Sequence, residues 1–127
     1  MRMRVVTWNI NSVRKRIAHV RRLIRQTSPD IICFQETKVT DNLFPTDLFT
    51  ELGYSGVYVS GQKAYNGVAI VSRFPLKNIE TKQWCKSSDK RHLRATLPHD
   101  IDLHNFYIPA GGDDPDVQAN PKFAEKL

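Results

Sequence analysis

Several things are scarce in this sequence, and each scarcity excludes something. Two cysteines, Cys33 and Cys85, stand far apart and form no C-x-x-C and no zinc set. A disulfide framework is therefore not expected, and a reducing cytoplasm is the expected compartment. No apolar run is long enough for a signal peptide or a membrane span, so no membrane association is expected. The four histidines, His19, His92, His99 and His104, show no metal-ligand spacing. Asp113, Asp114 and Asp116 lack the spacing and the later Glu of an EF-hand, and read as a solvated loop. Acid is absent where base is densest. From Ser12 to Gln26 there are Arg14, Lys15, Arg16, Arg21, Arg22 and Arg25, with no Asp or Glu. With a net charge of +6, that favours an anionic partner, nucleic acid first.

What is present describes one globular α/β (α+β) domain. The length of 127 residues suits a single unit, and 40% hydrophobic with 25% charged residues suits a packed core. "MRVVTW" at 3–8 is β-branched and aromatic enough for a strand. "NINS" follows as a turn, with Ser12 placed to cap a helix. Val13, Ile17, Val20 and Ile24 then recur at helical spacing, and Pro29 stops the pattern. "DIICF" at 30–34 is a second, fully apolar strand. "FPTDLFTELG" at 44–53 predicts a short helix stopped by Gly53. Later strands are expected in "YSGVYVSG", "NGVAIVSR", "LKNIETKQ", "RHLRATLP" and "DIDLHNFYI". In the last of these, Ile101, Leu103, Asn105 and Tyr107 alternate with Asp102, His104 and Phe106. "NPKFAEKL" at 120–127 opens like a helix, with Asn120 as cap and Pro121 first inside.

Chemistry concentrates where strands end. Asn9 and Asn11 follow Trp8, and Gln35 and Glu36 follow Phe34. If the two strands are neighbours, Asn9 and Glu36 meet at one sheet margin, the place where ligands gather in α/β sheets. A carboxylate with an amide oxygen and open positions suits Mg²⁺. Taken singly, Glu36 fits a solvated strand end and the asparagines fit a turn. Tyr107 is suited either to a phosphate oxygen or to a core rim. Tyr65, beside Lys63 in "QKAYNGVAI", is suited to stacking on a base or to folding back on its own turn.

Together, "VVTWNINSVRKR", "PDIICFQETKV", "YNGVAIVSR" and "NFYIPAGG" resemble, in order and separation, the exonuclease III family of abasic-site DNA repair nucleases. That family lies within the endonuclease/exonuclease/phosphatase superfamily, and this chain looks like its bacterial branch. The resemblance covers essentially the whole chain. It implies a DNase I-like fold, with these residues as half of a four-layer sandwich, mainly one β-sheet with helices on one face. It implies Mg²⁺ as cofactor, with Mn²⁺ as a substitute, held by Glu36 and Asn9. It implies Tyr107 as a catalytic residue near the scissile phosphate, and Arg14, Lys38, Tyr65 and Asn66 as DNA-contacting residues. The implied partner is double-stranded DNA with abasic sites or 3′ ends.

The departures are equally specific. Family members run to about twice this length and carry a G-D-x-N and a late S-D-H, neither of which occurs here; "SSDK" at 87–90 is not S-D-H. Ala110 stands where many relatives have a polar residue. Residues 1–127 accordingly read as the amino-terminal portion of one domain whose carboxyl-terminal half is absent. Alone it is expected to be inactive and to expose an apolar sheet face, hence to self-associate or need its missing half. The full-length enzyme is expected to be a monomer. Two other functions stay open at this level: a non-catalytic nucleic-acid-binding module, and another phosphoesterase of the same superfamily.

Overall fold

A computed structural model of the chain describes residues 2–81 and 90–108. The 120–127 helix, the Asp113, Asp114 and Asp116 loop, Cys85, Ala110 and most of "SSDK" lie outside the described residues. Strand β1 (Val5–Asn9) leads through a 3-10 turn (Arg14–Arg16) into helix α1 (Ile17–Thr27) and strand β2 (Ile31–Gln35). A short helix α2 (Thr46–Glu51) precedes β3 (Gly56–Ser60) and β4 (Val68–Ser72). Strands β5 (Lys77–Glu80), β6 (His92–Leu97) and β7 (Ile101–Phe106) complete the order.

The strands fall into two sheets rather than mainly one. The first has the order β1-β2-β4-β3, and the second has the order β5-β6-β7. β1 and β2 run parallel, joined by the α1 crossover; every other pair is antiparallel. The unbroken apolar run in β2 explains the arrangement, because a strand covered on both faces has no solvent side to alternate toward. All five of its residues are buried. Ile32 and Phe34 join Val20 of α1 and Leu48 and Phe49 of α2 in one core. Ile31 and Cys33 face the other way, onto Leu93, Ala95 and Leu97 of β6. The helices thus sit on one face of the first sheet, as expected, and the second sheet covers the opposite face. Burial around Cys33 pushes its thiol up to about 11, which leaves it an inert core group.

The start of α1 also differs from the sequence expectation. Ser12 does not cap it; its backbone has φ +82° and its N–H donates to the Glu36 carbonyl at 2.8 Å. The residues that a simple cap would release to the helix are instead tied to the loop after β2. At the other end the helix closes as expected. Ser28 turns left-handed, its N–H reaching the Ile24 carbonyl, and Pro29 follows.

Aromatic rings brace the end of β2 from the helix side. Trp8 and Phe49 lie 5.9 and 5.7 Å from the Phe34 ring, and Phe44 stacks on Phe49 at 5.6 Å. From the other side, the buried Asn105 amide of β7 ties the second sheet to the first. Its Nδ2 donates to the carbonyls of Phe34 and Ala69, each at 2.9 Å, and its Oδ1 accepts from Gln35 Nε2 at 2.7 Å.

Substituting Asn105→Asp keeps the shape but sets a carboxylate against two carbonyl oxygens. It should cost about 3 kcal/mol of stability, more than the net worth of the lost bonds, because the partners stay buried. Urea unfolding measures this, and a loss below about 1 kcal/mol would mean that the amide does not join the sheets.

Candidate active site

The parallel register of β1 and β2 sets Asn9 level with Gln35, so the two strands deliver their polar residues at one margin. Register partners in a parallel pair share a face, and Gln35 Nε2 donates to Thr7 Oγ1 at 2.9 Å, which fixes that face as the one toward the second sheet. Asn9, two residues beyond Thr7, is on it too, with its side chain exposed.

Past the strands, the two chains continue side by side. Ile10 N–H donates to the Gln35 carbonyl at 3.0 Å, and Val13 N–H to the Thr37 carbonyl at 3.1 Å. On the opposite flank, Thr37 N–H donates to the Gly67 carbonyl at 3.2 Å and Lys38 N–H to the Asn66 carbonyl at 2.9 Å. Glu36 sits between these two clamps in the left-handed region, φ +54°. That conformation is unfavourable for a side-chain-bearing residue and persists only where surrounding bonds over-determine it. Gly67 makes the close approach possible. Its φ is +91°, and a Cβ there would lie 2.2 Å from Thr37 Oγ1.

Tyr107, just past β7, reaches this clamp. Its hydroxyl donates to Glu36 Oε1 at 3.1 Å, and its backbone N–H donates to the Arg91 carbonyl at 2.8 Å. Burial, then the hydrogen bond and the charge of Glu36, hold the phenol above the ordinary tyrosine range, and the Arg91 guanidinium opposes them. The phenol is therefore a donor throughout the neutral range, and it engages one oxygen of the half-buried carboxylate.

The remaining sequence-predicted residues surround this pair. Lys38 Nζ donates to Asn11 Oδ1 at 2.5 Å. Asn66, at φ +51°, gives its carbonyl to Lys38 and its Nδ2 to Gln62 Oε1 at 3.2 Å. Tyr65 is 69% exposed at the tip of the same loop, and so does not fold back onto it. Arg14 is exposed in the 3-10 turn that follows the Asn11 loop. Glu36 and Tyr107 are in direct contact, and Asn9, Lys38 and Asn66 flank them along the backbone pairings. Tyr65 and Arg14 stand further out on the rim.

Two residues escaped the sequence reading, Asn105 and Arg91, and Gln35 was read only as a strand-end polar group, not as a buried support. Gln35 and Asn105 form the buried support under Glu36 and Tyr107. Asn105 had a signal, since the period-2 pattern put a polar residue on an inward face between Leu103 and Tyr107. Arg91, at the start of β6, had none in the local pattern.

For a cation, the local donors are one carboxylate and one amide oxygen. Among the described residues no three His, Cys, Asp or Glu side chains gather to hold a metal. Hard oxygen donors in that small number fit Mg²⁺, which keeps most of its waters, and do not fit zinc.

The raised phenol has a pH consequence. A group with a folded pKa above its unfolded one contributes stability fully below the unfolded value, about 10 for tyrosine, and loses it as pH rises through the folded value. Tyr107→Phe should therefore flatten the fall in Tm between about pH 9 and 11. Parallel curves for the two proteins would show that the Tyr107–Glu36 bond carries no such linkage.

Comparison with known proteins gives this geometry a context. The family described as Endonuclease/Exonuclease/phosphatase matches residues 6–126. Exodeoxyribonuclease III of Haemophilus influenzae is 34% identical over 114 residues, covering 86% of this chain and 42% of that protein. The Neisseria 3′ phosphatase NExo, in a structure bound to product DNA hairpin, superposes with TM-score 0.82 at 30% identity, covering 98% of this chain and 49% of that one. An AP endonuclease from Archaeoglobus fulgidus superposes with TM-score 0.79 at 35% identity, covering 98% and 49%. The chain spans about half the length of these relatives. A margin built from paired strand ends, a match along nearly the whole sequence and a shared α/β fold agree: this chain belongs to the Endonuclease/Exonuclease/phosphatase family.

Proposed function

We propose that this chain is the amino-terminal part of a Mg²⁺-dependent DNA repair phosphodiesterase that cuts beside abasic sites and trims 3′ ends. The observation that carries the reading is the Tyr107–Glu36 hydrogen bond at the margin shared by β1 and β2. It brings a neutral donor and a carboxylate together beside an amide and several cations. Its named relatives support the substrate class: an exodeoxyribonuclease, a 3′ phosphatase with product DNA, and an AP endonuclease.

Each residue has a physical task on this reading. Glu36 and Asn9 would hold Mg²⁺, with Mn²⁺ as substitute, and the bound ion would offset phosphate charge as the phosphodiester breaks. Tyr107 presents its hydroxyl to a phosphate oxygen once substrate competes for it, and the Gln35–Asn105 pair beneath keeps that hydroxyl in place. Lys38 and Arg14 bind flanking phosphates, and the Asn66 loop fits its backbone against the strand. Exposed Tyr65 offers a flat face to a sugar or base. The sequence contains neither a G-D-x-N nor an S-D-H. These 127 residues alone are accordingly inactive on this reading, since groups that activate water and stabilise developing charge each contribute powers of ten. The compartment on this reading is the cytoplasm, since two cysteines far apart suit no disulfide framework.

Abasic-site duplex incubated with the intact protein should be nicked with Mg²⁺ and spared with EDTA. Nicking that survives EDTA would overturn the metal dependence, and binding with no cleavage in either condition would overturn the enzyme reading. Glu36→Gln should reduce the rate at least 100-fold at low Mg²⁺ and much less at high Mg²⁺, as expected for a weakened ligand. An equal loss at all concentrations would remove Glu36 from the metal.

A further inference from the structure

The basic residues of the 12–26 stretch do not all serve the margin around Glu36. Arg16 is tied down, its Nε donating to the Ile10 carbonyl at 2.8 Å. Arg14 and Lys15 lie exposed in the 3-10 turn at the rim of the site. Arg21, Arg22 and Arg25 lie one to three turns further along α1, all exposed, and carry on away from the margin.

Helical spacing arranges them. At about 100° per residue, Ala18, Arg21 and Arg25 fall in one row along α1 with Arg22 beside it, and Arg14 and Lys15 precede the helix in the 3-10 turn. Arg22 lies nearly opposite Val20, which is fully buried in the core, while Arg21 and Arg25 flank the stripe that Val20 forms with Ile17 and Ile24. Along α1 the stretch from Ala18 to Arg25 rises roughly 10 Å, about three phosphates of one strand when measured along a duplex axis, and Arg14 and Lys15 extend the basic surface toward the site. Arg21 and Arg25 are i,i+4 neighbours and Arg22 and Arg25 are i,i+3 neighbours, pairings that repel when both members carry the same sign. Among the described residues no acid pairs with any of the three, and the ion pairs found there belong to Arg94.

We propose that the solvent face of α1 is a second phosphate-binding surface, over which duplex DNA leaves the site. The inference rests on the DNA reading of the site and extends it by giving the duplex a path. Duplex DNA, rather than a lipid surface, is the occupant because the row is continuous with the Asn11–Lys38 rim. The face also lacks an apolar wedge for a bilayer, with Ala18 as its one apolar residue between Arg14 and Arg25. The face of a helix that repels itself when bare is relieved when phosphates lie along it, and the ions they release strengthen binding at low salt.

Salt dependence tests this directly. Binding of the intact protein to a long abasic-site duplex, measured from about 50 to 200 mM salt, should fall steeply. The triple variant Arg21→Gln, Arg22→Gln, Arg25→Gln should have a slope of log K against log salt shallower by about 2.7. Over that fourfold range the wild-type protein then loses roughly forty-fold more affinity than the variant does. Arg25→Gln alone should lower the slope by about 0.9. Thermal unfolding without DNA at low salt should show the triple variant at least as stable as wild type, because repulsion has been removed, and this separates lost contact from lost structure. An unchanged slope in a folded variant overturns the inference and leaves the site reading standing. Failure of the wild-type protein to bind duplex even at low salt overturns the site reading itself. Binding to phosphatidylserine vesicles that depends on the three arginines, with duplex binding unaffected, assigns the face to a membrane and also overturns the proposal.

Discussion

The geometry of the site depends on a buried amide. Asn105 donates twice to carbonyls of β2 and β4 and accepts once from Gln35, so one side chain from the second sheet fixes the end of the first. Gln35 ends β2 and Glu36 follows it directly, and Tyr107 lies two residues after Asn105, just past β7. Locking the first pair to the second therefore locks Glu36 to Tyr107, two residues on. A hydrogen bond between long side chains at a rim would otherwise be one of many rotameric alternatives, with an entropy cost to hold it. Here the polar groups beneath satisfy each other away from water, and the rim pair is left a narrow range of positions.

Left-handed backbone gathers above this support. Asn11, Ser12, Glu36, Lys38 and Asn66 all have positive φ, and every one lies in the three loops that meet at the margin. Each is unfavourable on its own. The cross-loop hydrogen bonds from Ser12, Val13, Thr37 and Lys38 hold them there, so the loops act as one braced layer. The aromatic row from Trp8 to Phe44 holds the same strand end from the helix side. Strain, bracing and the contact between a carboxylate and a phenol coincide at one place, which is the pattern of a site kept in readiness for a ligand.

The sequence showed the elements better than their assembly. The apolar run of β2, the stripe through Val20 and the stop at Pro29 are local signals, and they located β1, α1 and β2 closely. The run of β2 marked a buried strand, but not that a second sheet from this same chain covers its other face. That depends on β5–β7 pairing among themselves, a long-range choice that no period records. Glu36 and Tyr107 were legible as chemistry-bearing strand ends through resemblance. Their contact was not, because 71 residues separate them and the link runs through Gln35 and Asn105. Ser12 shows the opposite failure. A sound local rule for helix caps lost to backbone bonds with a loop more than twenty residues away.

Water is the remaining variable at this margin. The strand order leaves β1 at one edge and β7 at another, and apolar side chains there are open: Val5 is 45% exposed, Ile101 52% and Ile108 68%. Of these, Ile108 adjoins Glu36, Asn9 and Tyr107 at the strand ends that form the site, whereas Val5 and Ile101 stand at the opposite ends of β1 and β7. While that margin is hydrated, one carboxylate and one amide compete poorly with water for a cation, and each charge near Tyr107 is screened. A layer of protein over Ile108 and the neighbouring strand ends would bury apolar surface and at the same time lower the dielectric around Glu36 and Arg91, making the same contacts several times stronger. The site and the uncovered apolar surface are thus two aspects of one boundary. Whatever covers β1 and β7 would stabilise the fold and increase the electrostatic strength of the site together.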